Sequence, residues 1–305
     1  MSNILLLIFC LLLGVILRGV KAMPDNAANV LNSFIVNISL PALTLLHTVD
    51  IDFSPTEALP VLSAWLVFGA AFLFFNVTKK ITQFDRPTVG ALIVVGGISS
   101  ISFVGFPIFE LLYGAEGLKL GILMSQSGTF FVCSTLGIAT VSIYSAQGDK
   151  INGQRIVKDM FLFPPFAAFC LALILKFCGY QHPTVVADVL AKIGSTLSVI
   201  ALISIGLQMN FSGINRESRP LLLGLLFKLI LAPLVIFLIF VGLFQQHGVA
   251  VQVSILGSAL GSMNTIGIVA IRKGLSPDLV AQMIGISIPL SLFILPVVYF
   301  LIQNL

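Results

Sequence analysis

The stretch Gly96-Gly97-Ile98-Ser99-Ser100-Ile101-Ser102-Phe103-Val104-Gly105-Phe106-Pro107 lies inside an apolar run, and so does Gly257-Ser258-Ala259-Leu260-Gly261-Ser262-Met263-Asn264-Thr265-Ile266-Gly267. Proline removes a backbone donor and clashes with the carbonyl four residues back, while glycine loosens the turn. A helix through the first stretch is expected to break between Ser100 and Pro107, with Gly105 contributing. The second stretch has no proline, so a break there rests on Gly261, Gly267 and the polar side chains. Unwound backbone is tolerated at membrane depth only where protein covers it or where it lines a cavity. Two breaks at matching depth predict one shared polar cavity. Half-helix N-termini can hold an anion in it, with hydrogen bonds from Ser100, Ser102, Asn264 and Thr265. The plainer alternative is that small residues let helices pack closely.

The surrounding chain explains why membrane depth is the right frame. Of 305 residues, 58% are apolar and 9% charged, and the mean hydropathy is +1.10. Soluble domains carry about 25% charged residues, so this is an integral membrane protein. The apolar runs are continuous and do not alternate, which predicts helices and excludes an outer-membrane barrel. Ten spans are expected, near residues 3–20, 28–48, 56–78, 88–113, 117–146, 159–179, 186–208, 219–243, 248–271 and 277–302. At roughly 20 residues per span, no room remains for a soluble catalytic domain. The first segment reads as a retained span, because its basic residues follow its apolar core.

The loops after spans one, three, five, seven and nine hold Arg18, Lys21, Lys79, Lys80, Arg86, Lys150, Arg155, Lys158, Arg216, Arg219, Arg272 and Lys273. The opposite loops hold Lys119 and Lys176. This bias places the odd-numbered loops in the cytoplasm and both termini outside. It also accounts for the net charge of +4 without a nucleic-acid partner, since the basic residues form no single patch. Cys10, Cys133, Cys170 and Cys178 have neither CxxC spacing nor nearby histidine pairs, and read as small apolar packing residues.

A shift of 160 positions pairs Cys10 with Cys170, Gly19 with Gly179, Pro60 with Pro220, Gly97 with Gly257, Ser102 with Ser262 and Gly114 with Gly274. A constant offset through five spans points to duplication. An odd number of spans per copy makes the second copy inverted, an architecture of secondary transporters. The expected organisation is a first five-helix repeat over residues 1–155 and a second over 156–305.

Three further polar features lie within spans. Gln126 is a deep amide in span five that either lines the cavity or braces the broken helix. Lys228 sits near the middle of span eight with no acidic residue in mid-span to pair with it. A lysine at the bilayer centre costs roughly 2.5 to 3.5 kcal/mol, so it neutralises an anionic substrate, carries a proton, or snorkels to a headgroup. Lys192 has Asp188 four residues before it on the same helix face. In span two, Pro41 predicts a kink whose freed carbonyls Asn37 and Ser39 can satisfy.

The run Leu31-Asn32 with Ile38-Ser39-Leu40-Pro41-Ala42-Leu43, the Gly105-Phe106-Pro107 break ending at Tyr113-Gly114, Gln126, and the Leu13-Gly14 to Arg18 opening resemble the auxin efflux carrier family, including its bacterial malate and malonate permease-like members. The resemblance covers essentially the whole chain. It implies an all-helical fold of ten transmembrane helices in two inverted five-helix repeats, with helices four and nine broken and crossing. It further implies a scaffold of spans one, two, six and seven and a transport domain of spans three to five and eight to ten. Substrate carboxylate would bind beside the crossover. Ser100 stands where the family's span-four asparagine is expected, and Gly261 lies near the place of a span-nine proline.

The reading that follows is a secondary transporter of a small mono- or dicarboxylate in the cell inner membrane, working by alternating access. Its substrate would meet Ser100, Ser102, Gln126, Lys228, Asn264 and Thr265. No cofactor or metal is expected; the sequence does not set the oligomeric state, though related scaffolds often pair as homodimers. The alternatives are a sodium-coupled carrier like the bile-acid symporters, or a sensor or channel without coupled transport. An enzyme is not expected, because intramembrane enzymes need paired carboxylates, a metal set or an activated nucleophile within the spans, and His47, His182 and His247 all lie near span ends.

Overall fold

The computed structural model describes residues 2–20, 23–24, 26–51, 54–145, 153–208 and 219–305. Of the basic residues that set the expected orientation, Lys21, Lys150 and Arg216 lie outside the described residues, as does the side chain of Arg155. The chain is helical, and among the described residues the one extended pairing is an isolated bridge between Ser99 and Ser262.

Among the described residues, twelve helical segments follow one another: α1 (Ser2–Gly19), α2 (Ala27–Thr48), α3 (Ala58–Thr82), α4 (Arg86–Gly97), α5 (Ile101–Tyr144), α6 (Gly153–Leu162), α7 (Pro164–Phe177), α8 (Thr184–Gln208), α9 (Arg219–Leu243), α10 (Val249–Ser258), α11 (Asn264–Arg272) and α12 (Pro277–Ile302). Among the described residues, six of them (α2, α3, α5, α8, α9 and α12) are long and apolar enough to cross a membrane. α5 is kinked at Gly114, where φ is 63° and ψ −144°. That positive-φ conformation is open to glycine, and it falls in the short gap, residues 114–116, that the sequence reading left between two expected spans.

Large apolar side chains stand exposed along α1, α9 and α12, among them Phe9, Leu243, Phe293, Phe300 and Leu301. Contiguous apolar surface of this kind is stable only against lipid. The helix lengths and this surface make the chain a multi-pass membrane protein, and the all-helical class expected from the sequence holds.

The helices gather into two compact units. The first comprises residues 1–53, 102–122 and 154–210. Within it α1 lies against α8, where Gly14 and Gly206 bring the two backbones together: a Cβ on Gly14 would run into the carbonyl oxygen of Ile203, and one on Gly206 into that of Leu11. Ser39 Oγ and Thr196 Oγ1 are hydrogen-bonded at 2.8 Å, and Ser204 Oγ donates to Asn32 Oδ1 at 2.7 Å, tying α2 to α8. Ser198 Oγ donates to the Glu110 carboxylate at 2.6 Å.

The second unit comprises residues 54–101, 123–153 and 211–305. Its centre is formed by α4 and α10, every residue of which is buried from Val89 to Gly97 and from Val251 to Ser258. At about 1.5 Å rise per residue, helices of 12 and 10 residues fall well short of a bilayer core of about 30 Å. Both end inside the protein.

Among the described residues, six stretches widen to π-helical geometry. In three of them, Ile35–Ser39, Ile101–Gly105 and Phe227–Leu231, a proline stands two residues beyond the end: Pro41, Pro107 and Pro233. The carbonyl that each ring displaces belongs to residue 37, 103 or 229, the middle of the stretch. The helices therefore absorb their prolines by widening one turn without opening.

Candidate functional site at the helix crossing

In the second unit, α4 stops at Gly97 because Ile98 turns extended, with φ −121° and ψ 118°. α10 stops at Ser258, and α11 begins at Asn264 after an extended Met263. The freed backbone groups satisfy one another. Ser100 N donates to Gly261 O at 2.9 Å and Met263 N to Ile98 O at 3.0 Å. Ser262 N donates to Ser287 Oγ of α12 at 2.9 Å, and that hydroxyl donates on to Ser262 Oγ at 3.2 Å. Two unwound segments thus form a two-residue ladder where water cannot supply partners.

The expected break runs from Ser100 to Pro107, and the interruption is found at its upstream edge, over residues 98–100. Gly105 closes the π-helical turn and Pro107 sits in the α-helix after it, for the reason given above. Gly261 does lie in the unwound segment, but its φ is not positive. A Cβ there would stand 2.6 Å from Ile288 Cα, so α12's backbone requires the glycine. Gly267 falls within α11 and lets Ile284 pack against it.

Lys228 reaches this crossing from α9. It has no solvent exposure, and its Nζ donates to Ser99 Oγ at 2.6 Å. The route from sequence to that contact is local. Pro233 widens the turn at 227–231, and a widened turn rotates side chains away from the regular helical face. Phe227 anchors the turn by packing on Phe74 and Phe75, with ring centroids 5.2 Å apart in each case. Beside Ser99 lies a cavity of about 10 Å³ lined by Gly97, Met124, Thr129 and Ser258 among others. That volume holds about one water molecule.

The sequence-derived site residues separate into groups. Ser100, Gln126, Lys228, Asn264 and Thr265 belong to the second unit, and Ser102 to the first. Ser100 is buried, but the lysine bonds its neighbour Ser99. Gln126 is 1% exposed, and its Oε1 has no hydrogen-bond partner. A buried amide oxygen without a donor costs roughly 1 to 3 kcal/mol. Asn264 is half-buried and Thr265 exposed. On α2, Asn37 Nδ2 donates to Ser33 O at 2.7 Å while Ser39 pairs with Thr196. The sequence reading did not count Ser99, Ser262, Ser287 or Pro233 among the site residues. Pro233 was detectable, five residues past a mid-span lysine.

One family model, described as membrane transport protein, matches residues 1–152 and again 149–299. The chain belongs to this family. The two matches together span nearly the whole chain. The chain is 28% identical over 302 residues to an uncharacterized transporter of Methanothermobacter thermautotrophicus, covering 97% of this chain and 96% of that one. It is 24% identical over 304 residues to an uncharacterized transporter of Methanocaldococcus jannaschii, with the same coverage. The membrane transport family assignment agrees with the resemblance to auxin efflux carriers and with a transport role rather than an enzymatic one.

Proposed function

We propose that this membrane transport family member is a secondary transporter of a small organic anion, a mono- or dicarboxylate, working by alternating access in the cell inner membrane. In this reading ten spans form two inverted five-helix repeats with both termini outside, and two copies pair as a homodimer. The anion binds at the crossing of α4–α5 with α10–α11. Ser100, Ser102, Gln126, Asn264 and Thr265 offer hydrogen bonds, the half-helix N-termini add their dipoles, and Lys228 supplies the positive charge.

The observation that carries the reading is Lys228 itself: a fully buried ammonium held by one hydroxyl at the point where two unwound segments meet. Intramembrane ionisable groups mark substrate and ion pathways. The orphaned Gln126 oxygen, also deep in the second unit, is a further polar group prepared for a partner.

The test is uptake of labelled mono- and dicarboxylates into reconstituted vesicles, with Lys228→Met alongside. Saturable uptake of at least one carboxylate is expected, reduced tenfold or more in the variant. Saturable uptake of cationic or neutral solutes with no response to any carboxylate would overturn the substrate class. A ligand-gated current without saturable flux would replace the carrier with a channel.

A further inference from the structure

Lys228 poses a question that anion binding alone does not answer, namely what balances its charge when no substrate is present. An ammonium has three donors, and one hydrogen bond, to Ser99 Oγ, uses one of them. The acidic side chains of the second unit that the structure describes are Glu57, Asp85 and Asp278, and they stand at helix starts, away from the crossing. Among the described residues of the second unit, the negative end that can face a buried charge is therefore backbone.

The geometry supplies it. α4 and α10 both terminate at the small cavity that Ser99 lines, with Gly97 and Ser258 in its wall. A helix C-terminus carries about half a negative charge on its last carbonyls, so two converging ends amount to about one. In broken-helix carriers such ends, with unwound carbonyls, are where a coupling cation is held. Here Ser99, Thr129 and Ser258 are the hydroxyl-bearing residues of a largely apolar wall, and the cation bonded to Ser99 is attached to the chain.

We propose that Lys228 is a built-in cation. Its ammonium takes the place at the two helix ends that a free monovalent cation would otherwise need, so the transport cycle proceeds without sodium. The inference rests on the transporter reading above, but concerns a separate site chemistry: a monovalent-cation position permanently filled by a side chain. Removing the side chain should therefore create a site for a small cation where none exists now.

The test needs no substrate. The full-length protein in detergent is melted in sodium or methylammonium chloride, each titrated against choline chloride at constant ionic strength, for the native chain, Lys228→Ala and Lys228→Met. The native chain is expected to show no sodium-specific rise in Tm. Lys228→Ala, which vacates the position, is expected to melt lower and to recover several degrees, saturably, with methylammonium or sodium. Lys228→Met fills the space without charge and is expected to show no such recovery. A saturable sodium-dependent Tm rise in the native chain overturns the proposal, and so does a folded Lys228→Ala that ignores both cations. The native-chain arm remains decisive if Lys228→Ala does not fold. Because the readout is stability, a carrier that moves some other solute would defeat the functional reading and leave this result standing.

Discussion

Ser99 and Lys228 are joined by a 2.6 Å hydrogen bond that has no solvent access at the lysine end. Hydrogen bonds to charged groups contribute roughly 1.5 to 3 kcal/mol. Ser99→Ala is expected to lose about that much stability, since it strips the ammonium of its side-chain acceptor. In a Lys228→Met background the same serine change should cost under about 1 kcal/mol. Denaturant or thermal melts of the four proteins in a double-mutant cycle check this. Additive costs would mean that the bond contributes nothing.

Pro233 is expected to act on function without lowering stability. Pro233→Ala restores a backbone donor and allows the turn at 227–231 to narrow, and alanine is roughly 3 kcal/mol better than proline within a helix. Lys228 would then rotate off Ser99. Tm equal to or above that of the native chain, with uptake down tenfold or more, is the expected pair of results. Full uptake by the variant would show that the widened turn does not aim the lysine.

Gly261 has no room for a side chain because Ile288 Cα would stand 2.6 Å from its Cβ. Gly261→Ala forces α12 away from the crossing and strains the bond from Ser287 to Ser262. Overpacking of this kind costs roughly 1 to 3 kcal/mol, read as a drop in Tm. A larger effect is expected on transport than from Gly267→Ala, where the obstacle is the flexible end of Ile284.

Gly14 and Gly206 define a contact in the first unit that tolerates still less. Each Cβ would meet a backbone carbonyl of the facing helix, which cannot rotate aside. Gly14→Val is expected to abolish recovery of folded protein, judged by size-exclusion chromatography in detergent. A monodisperse, native-like Gly14→Val peak would contradict the close approach of α1 and α8.

Much of this architecture was legible in the sequence, and the failures have a common cause. Apolar run length marked the helices, and the glycine–serine stretches marked the interruptions. What periodicity misses is phase. The expected break made Ser100 and Ser102 site residues, but Ile98 is extended and Ser99 pairs with Ser262 across a bridge. Successive side chains there point to opposite faces, which is how Ser99 and not Ser100 meets the lysine. The same applies at Pro233, where the widened turn shifts every later side chain. Gly105 and Pro107 read as a break because a proline in a regular helix would cause one, and a π-helical turn accommodates the ring instead. Gly261 carried a packing constraint from α12 that no local pattern encodes.

The ladder between residues 98–100 and 261–263 also sets an order of events during synthesis. Ile98 O and Ser100 N find their partners in Met263 and Gly261, which emerge from the ribosome long after α4 has entered the bilayer. Until then the first interruption has unsatisfied polar groups in hydrocarbon, where none are tolerated for long. The second unit therefore closes only after residues 261–263 have been made. Nascent chains stalled before residue 261 should accordingly be favoured substrates for membrane quality-control proteases.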